Sequence, residues 1–310
     1  AELAYQTLWL KCHYPAEFMA ALLSNQPMGY YPSRILIADA KRFGVRILPL
    51  DINCSSDQYI VENGAIRVGL SQLKGMSEGA VESILSERRR NKFTSLRDFC
   101  LRTNVNYPII ENLIKVGAFD SIGNMDEMLS QLSQLIKLKH KVREGRQSFF
   151  KEDMPEQWLI KEDTSSDIKT RMLVERELLS LDLSAHPLDF LPSDNGFTRI
   201  KDLPAVATGK IVKIAGSVIR YQTPPTRNGN RVVYVIMEDG TGIVDVTVFS
   251  DVQEKCGNVL FREGWLVVKG KIQRRGPKAL SIIAEQLSPL TFQQSSIADG
   301  GQAGPCCIFP

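Results

Sequence analysis

Two short stretches of this 310-residue sequence place glycine where main-chain groups, rather than side chains, could do the binding. The first runs Gly69-Leu70-Ser71-Gln72-Leu73-Lys74-Gly75-Met76-Ser77-Glu78-Gly79-Ala80 and reads as a short helix, a glycine bend and a longer helix capped by Ser77. N–H groups at such a helix start have no intrahelical acceptor and carry the positive end of the helix dipole, so they can hold a phosphate oxygen. Lys74 adds a cation beside them, and Arg88, Arg89, Arg90 and Lys92 follow at the far end of the longer helix. A second copy comprises a helix over Pro108–Lys115, the turn Val116-Gly117-Ala118-Phe119-Asp120 and a helix from about Met125. Lys74, Gly75, Met76, Ser77, Lys115, Gly117 and Ala118 are therefore the candidate groups for duplex DNA. Two helix-hairpin-helix units of this kind grip a duplex backbone without reading its bases. Packing alone is the alternative for each bend, because any αα-hairpin can contain such a turn.

A second set of candidates is cationic and aromatic. The stretch Gln222-Thr223-Pro224-Pro225-Thr226-Arg227-Asn228-Gly229-Asn230 and the stretch Arg274-Arg275-Gly276-Pro277-Lys278 each join two runs of strand-like alternation. With Arg220, Tyr221, Arg231 and Tyr234 nearby, charge along a backbone and stacking on a tyrosine could hold a single strand through Arg220, Tyr221, Arg227, Arg231, Tyr234, Arg274, Arg275 and Lys278. Solvated loops and core aromatics are the alternative.

Catalytic constellations are missing from the pattern. Two-metal phosphoryl transfer needs converging carboxylates, and no D-x-D occurs. Glu238-Asp239 falls in a tight turn, and Glu152-Asp153 and Glu162-Asp163 in a polar stretch, where solvated charge is the expected role. There is no Walker loop and no G-x-S-x-G, and His13, His140 and His186 have no evident partner, with His186-Pro187 reading as a turn. No catalytic, cofactor-binding or metal-ligating residue is assigned.

The elements that must position these groups follow from periodicity. Helices are predicted from Glu2, from Pro15 and from Pro32-Ser33, the last ended by Gly44. Asn63-Gly64 between Tyr59–Glu62 and Ala65–Val68 predicts a tight β-hairpin. Ser95 with Asp98 predicts a capping box on a helix linking the two bends. From Lys210 the period becomes that of strands, at about 210–221, 231–238, 242–249, 265–273 and 279–287, with a short helix over 251–258. Five strands with an insertion after the third predict an OB-type barrel, whose ligand surface lies on its second and third strands and the loops joining strands one to two and four to five. The fold class is thus multidomain α+β: an all-α N-terminal part with tandem helix-hairpin-helix units, then a five-stranded OB-type β-barrel. The domains are expected at 1–65, 66–140, a mostly polar connector at 141–207, the barrel at 208–290 and a tail at 291–310.

Composition agrees. The chain carries 38 basic and 35 acidic residues and is 43% apolar, enough for ordinary cores, and no window is apolar enough to span a membrane. Charge divides by segment into −1 over 1–65, +3 over 66–123, −3 over 124–207, +5 over 208–290 and −1 thereafter. Two basic modules flank a mildly acidic connector. Six cysteines without metal-ligand spacing point to reduced thiols, hence a cytoplasmic protein. The terminal Cys307-Ile308-Phe309-Pro310 has the outline of a prenylation site but ends in an unsuitable Pro. Ala1 falls within a helix pattern that has neither Met nor cap, which points to a missing upstream part.

Beyond single motifs, Tyr5–Leu23 with Trp9-Leu10-Lys11-Cys12-His13-Tyr14-Pro15-Ala16-Glu17-Phe18 resembles the late fingers region of the bacterial DNA polymerase III alpha subunit family. Asn25-Gln26-Pro27-Met28-Gly29-Tyr30-Tyr31 resembles the error-prone branch of that family. Arg67-Val68-Gly69-Leu70 leading to Lys74-Gly75, Lys115–Phe119, Glu177–Leu188 with Ala185-His186-Pro187-Leu188, and Gly209–Leu287 fit in order. The resemblance implies template-directed DNA synthesis by a parent nucleotidyltransferase, used in replication, repair and translesion synthesis. Its metal-binding palm, with Mg2+, would precede Ala1, so the chain alone is expected to be inactive and to act by holding template and primed duplex. Replicative members carry a sliding-clamp peptide after the second hairpin. Arg146-Gln147-Ser148-Phe149-Phe150 is the nearest match, which makes Gln147, Phe149 and Phe150 the clamp candidates, with Arg146 in place of the leading Gln. Accessory mutagenesis proteins are further partners of that branch.

Three readings fit this pattern. The chain is a C-terminal DNA-binding part of an error-prone polymerase, a free-standing non-catalytic DNA-binding adaptor, or an RNA-binding OB protein like those attached to tRNA synthetases. No membrane partner is expected.

Overall fold

The computed structural model describes residues 2–29, 31–143, 168–192, 196–224, 231–256, 259–276 and 279–290, with side chains in the helix ending at 143 described as far as 135. It divides into two units, one of residues 1–190 with the turn 238–243, the other of residues 191–237 with 244–310.

The first unit begins with α1 (Glu2–His13), α2 (Pro15–Ser24) and α3 (Ser33–Arg42). α2 starts on Pro15, which lacks the N–H that a first turn leaves unpaired, and buries Ala16, Met19, Ala20 and Leu23 on one stripe. The predicted hairpin is formed by β2 (Ile60–Glu62) and β3 (Ala65–Arg67), with Asn63 at φ 51° and Gly64 at φ 74° supplying the left-handed turn. Its register pairs Val61 with Ile66. A third strand, β1 (Ile47–Leu48), pairs parallel to β3; periodicity does not predict it, because two residues carry no alternation.

Around the bends lie α4 (Glu78–Arg90), α5 (Leu96–Arg102), α6 (Tyr107–Lys115) and α7 (Met125–Arg143). The Ser77 hydroxyl accepts from the Ala80 amide at 3.3 Å and so caps α4. Ser95 caps α5 by accepting from the Asp98 amide at 3.1 Å, while the Asp98 carboxylate reaches past Ser95 to the Thr94 amide at 3.2 Å, one residue off the predicted box. Phe99 of α5 stands edge-on to Phe93 at 4.9 Å and to Phe119 at 5.1 Å, a stack that ties the linking helix to the second bend.

The predicted polar connector at 141–207 is corrected where the structure describes it. Residues 168–179 form α8 (Ile168–Leu179), whose Met172, Glu175, Leu178 and Leu179 are buried in the first unit, while residues from 191 onward belong to the second. Abundant charge hid this face, because one of its four buried residues is itself a glutamate. The Glu175 carboxylate accepts from the amides of Leu183 and Ser184 and from the Ser184 hydroxyl, so the buried charge is fully hydrogen-bonded.

The second unit is a closed five-stranded barrel of β4 (Ile211–Gln222), β5 (Val233–Glu238), β6 (Ile243–Val248), β7 (Trp265–Arg274) and β8 (Leu280–Pro289) in the order β4-β5-β6-β8-β7. Only β6 and β8 run parallel among the registers described. Val233, Val235 and Met237 of β5 and Val244, Val246 and Val248 of β6 point inward by strict alternation. Between β6 and β7 lie α9 (Ser250–Cys256) and α10 (Val259–Arg262), which plug the barrel with Val252 and Leu260. This is the OB arrangement expected from the strand spacing.

Gly270 of β7 marks the tightest point. A Cβ there would sit 2.2 Å from the Ile283 carbonyl oxygen, where backbone must move to make room. Gly270→Ala is therefore expected to destabilise the chain by about 3 kcal/mol or more in denaturant unfolding. Gly264→Ala, which meets nothing within 4 Å, should unfold within about 0.5 kcal/mol of the parent.

Candidate nucleic-acid interface

The two glycine bends differ. Gly75 takes φ 84°, and an added Cβ would meet nothing within 4 Å. Lys74, Gly75, Ser77, Glu78 and Gly79 are exposed and Met76 is half-buried. The Lys74 amide, however, donates to the Leu178 carbonyl at 2.8 Å, and the Met76 amide to Leu73 at 3.0 Å. Gln72 adds a bond from its side chain to the Leu179 carbonyl at 2.6 Å. The bend thus satisfies the last carbonyls of α8 on one side. On the other, the first-turn amides of α4 at Glu78 and Gly79 face solvent without a protein acceptor among the described residues.

The second bend is closed, which corrects the expectation for Gly117 and Ala118 as amide donors. The Ala118 amide donates to the Leu113 carbonyl at 2.9 Å and the Gly117 amide to Ile114 at 3.0 Å. These are the paired bonds of a Schellman ending, so both N–H groups are already committed to α6. Ala118 is buried, and the Asp120 carboxylate lies against Gly117, where a Cβ would come within 2.7 Å of it and 3.0 Å of the Arg171 guanidinium. Arg171 and Asp120 pair at 3.0 Å over the turn. Lys115 is exposed and pairs with Glu111 at 2.7 Å.

Around the barrel rim the candidates also separate. Arg227 and Lys278 lie outside the described residues, as do Gln147, Phe149 and Phe150. Arg231 and Arg275 are exposed; Arg220 and Tyr234 are half-buried, Tyr234 on the outward side of β5. Arg274 is partly engaged: its Nη2 donates to the carbonyls of Pro204 at 2.7 Å and Val206 at 3.0 Å, tying the segment before β4 to the end of β7. Tyr221 is likewise engaged. Its ring packs against Phe261 with centroids 5.4 Å apart, its hydroxyl donates to the Glu263 carbonyl at 3.3 Å, and burial with the nearby Glu263 carboxylate pushes its pKa up to about 12. Phe261 itself is 51% exposed and is the open aromatic surface here, a residue sequence reasoning missed because an apolar residue beside Leu260 reads as core.

Two expectations about charge in the first unit are overturned. His186 has a partner: its Nε2 lies 3.3 Å from the Glu238 carboxylate, and both residues are buried. Glu238 also accepts from the Gly240 amide at 2.8 Å and has Arg34 at 4.0 Å, while burial lowers the pKa of Arg34. Asp239 is buried rather than solvated, accepting from the amides of Thr241 and Gly242 and from the Thr241 hydroxyl. The sequence offered one signal, the Glu-Asp-Gly-Thr-Gly turn, whose carboxylates can cap their own bend.

Among the described residues no three His, Cys, Asp or Glu side chains come together to hold a metal ion. No helix among them is long and apolar enough to cross a membrane.

An open glycine bend at a helix start and an OB barrel define the class of a nucleic-acid-binding chain, and family models agree. A helix-hairpin-helix motif matches residues 44–128 and an OB-fold nucleic acid binding domain matches residues 212–290. The chain is homologous to a segment of the bacterial error-prone DNA polymerases and DNA polymerase III alpha subunits. It is 33% identical to the error-prone DNA polymerase of Symbiobacterium thermophilum over 89% of this chain and 30% of that protein. For the corresponding enzyme of Teredinibacter turnerae the identity is 28% over 96% of this chain and 30% of that protein. The DNA polymerase III subunit alpha of Escherichia coli K12 is 32% identical over 88% of this chain and 25% of that protein. The chain therefore spans under a third of the length of these relatives.

Arg274→Ala is expected to lower stability by about 1–2 kcal/mol in thermal unfolding, since two charge-assisted bonds to otherwise unpaired carbonyls are lost. Arg275→Ala should leave the melting temperature unchanged.

Proposed function

We propose that this chain is a DNA-holding part of an error-prone polymerase of the alpha-subunit family, non-catalytic by itself. In this reading the open bend at Gly75 and the α4 start grip the duplex backbone, and the barrel rim holds the single-stranded template. The observation that carries it is the solvent-facing first turn of α4, with amides that no carbonyl among the described residues occupies. Lys74 beside it supplies charge, and Ser77 holds the helix start in place.

Duplex contact then falls to one hairpin. The second serves as a support, its Schellman turn and aromatic stack keeping α5 and α6 rigid behind the first. On the rim, Arg231 and Arg275 supply charge to the strand and Phe261 an aromatic face for a base. Nucleotidyl-transfer chemistry would come from the remainder of the parent polymerase, and the separate chain should extend no primer in the presence of Mg2+ and deoxynucleotides.

Duplex affinity at fixed salt tests the bend. Gly79 has ordinary backbone angles and open space around its missing Cβ, so Gly79→Val should leave folding intact while its branched side chain screens the α4 amides. Fluorescence anisotropy with a short blunt duplex is expected to show about a tenfold loss, with Lys74→Ala removing about one unit from the log–log salt slope. Unchanged duplex affinity in a folded Gly79→Val chain would remove the bend from the interface. At the rim, Arg231→Ala with Arg275→Ala should lower affinity for an eight-nucleotide single strand and flatten its salt slope by about 1.4.

A further inference from the structure

The outward side of β7 carries a row of cations that the bend and the rim do not use. Lys269 and Lys271 are exposed on one side of the strand, and Gln273 and then Arg275 continue that alternation into the loop at 274–279. Residues two apart on a strand lie about 6.6 Å apart, so Lys271 and Lys269 present two successive charges leading away from the rim, with Gln273 as a polar step between Lys271 and Arg275. Across the ladder Lys269 is directly paired in register with Lys213 of β4, which is also exposed. Like charges directly opposite one another destabilise a strand pair, because their side chains stand about 5 Å apart with nothing between them.

Acidic neighbours offset only part of this charge. Lys271 pairs with Glu285 at 3.2 Å, and Lys213 lies over the Phe197 ring at 4.8 Å. Neither Lys213 nor Lys269 has a carboxylate within salt-bridge distance among the described residues. Folding alone gains nothing from opposing two lysines here. A polyanion laid between them would turn the mutual repulsion into a shared attraction.

We propose that the outer face of β7 and β4 is a second strand-binding surface, on which the phosphate backbone of a single strand leaving the 274–279 loop runs over Lys271 and then between Lys269 and Lys213. This rests on the rim reading for the direction of the strand, while the lysine face stands on its own geometry. The open part of the face ends at the next pair, Ala215 and Val267, which are buried, and its one described ring, Phe197, is half-buried beneath Lys213, so the contact is to backbone. A nucleic-acid backbone is favoured over an acidic protein segment because Lys269 and Lys271 lie in line with Arg275 of the rim, with neutral Gln273 between them.

Length dependence separates the two surfaces. The triple variant Lys213→Gln, Lys269→Gln, Lys271→Gln in the full chain is measured by fluorescence anisotropy against eight- and thirty-nucleotide oligothymidylate over a range of salt. The eight-nucleotide strand, held by the rim, should bind within twofold of the parent. The thirty-nucleotide strand should lose about tenfold at low salt, and its log–log salt slope should drop by about 2, each phosphate no longer neutralised accounting for about 0.7. The Lys→Arg triple should restore both. An unchanged slope for the long strand overturns the proposal, as does an equal loss for both lengths. If polyglutamate binding is lost while the long strand is unaffected, the face belongs to an acidic protein segment instead. Failure of the rim reading is recognised separately, by an eight-nucleotide affinity that does not respond to Arg231→Ala with Arg275→Ala.

Discussion

A main-chain amide has one hydrogen to give, and where each bend directs its amides decides what this molecule can hold. In the second hairpin both bend amides return to α6 as a Schellman ending. In the first, the bend amide of Lys74 goes sideways to α8, and the amides left over are those of the following helix start. The same backbone shape, a glycine at φ near 80°, therefore has opposite consequences in the two copies. Gly117 closes a helix, whereas Gly75 opens one to solvent. The distinction rests on neighbours far away in the chain, since Leu178 is what claims the Lys74 hydrogen and Arg171 is what lies across Gly117.

This explains which parts were legible in the sequence. Local signals held wherever a few adjacent residues determine the geometry: Asn63-Gly64 for the hairpin, Pro15 and Ser77 for helix starts, and alternating valines for β5 and β6. The barrel was readable because parts of its strands carry period-two burial long enough to count, most clearly β5. What escaped was set by long-range pairing. β1 is two residues long, α8 buries a glutamate on its apolar face, and the His186–Glu238 contact joins positions 52 residues apart. A histidine before a proline carries no local mark of burial, and Glu238 ends a strand at a turn where exposure is the ordinary expectation.

Formal charge in this chain differs from charge available for contact. The barrel segment carries a net +5 in sequence, yet Arg274 commits its Nη2 to two carbonyls. In the helical unit Arg88 likewise donates to the carbonyls of Ile52 and Ser55, and burial lowers its pKa. Such arginines still add to the long-range field that draws a polyanion in, but with one nitrogen held by carbonyls they have fewer N–H groups to offer once it arrives. The lysines of β7 and β4 are the reverse case: compact ammonium groups at the ends of flexible stems, unpaired by carboxylate in two of three instances. Arg88 and Arg274 fasten loops to the fold, while Lys269 on the β7 face stands clear of any carboxylate among the described residues. Long-range attraction and short contact are thus not the same sum, so counting basic residues along the sequence overstates the grip.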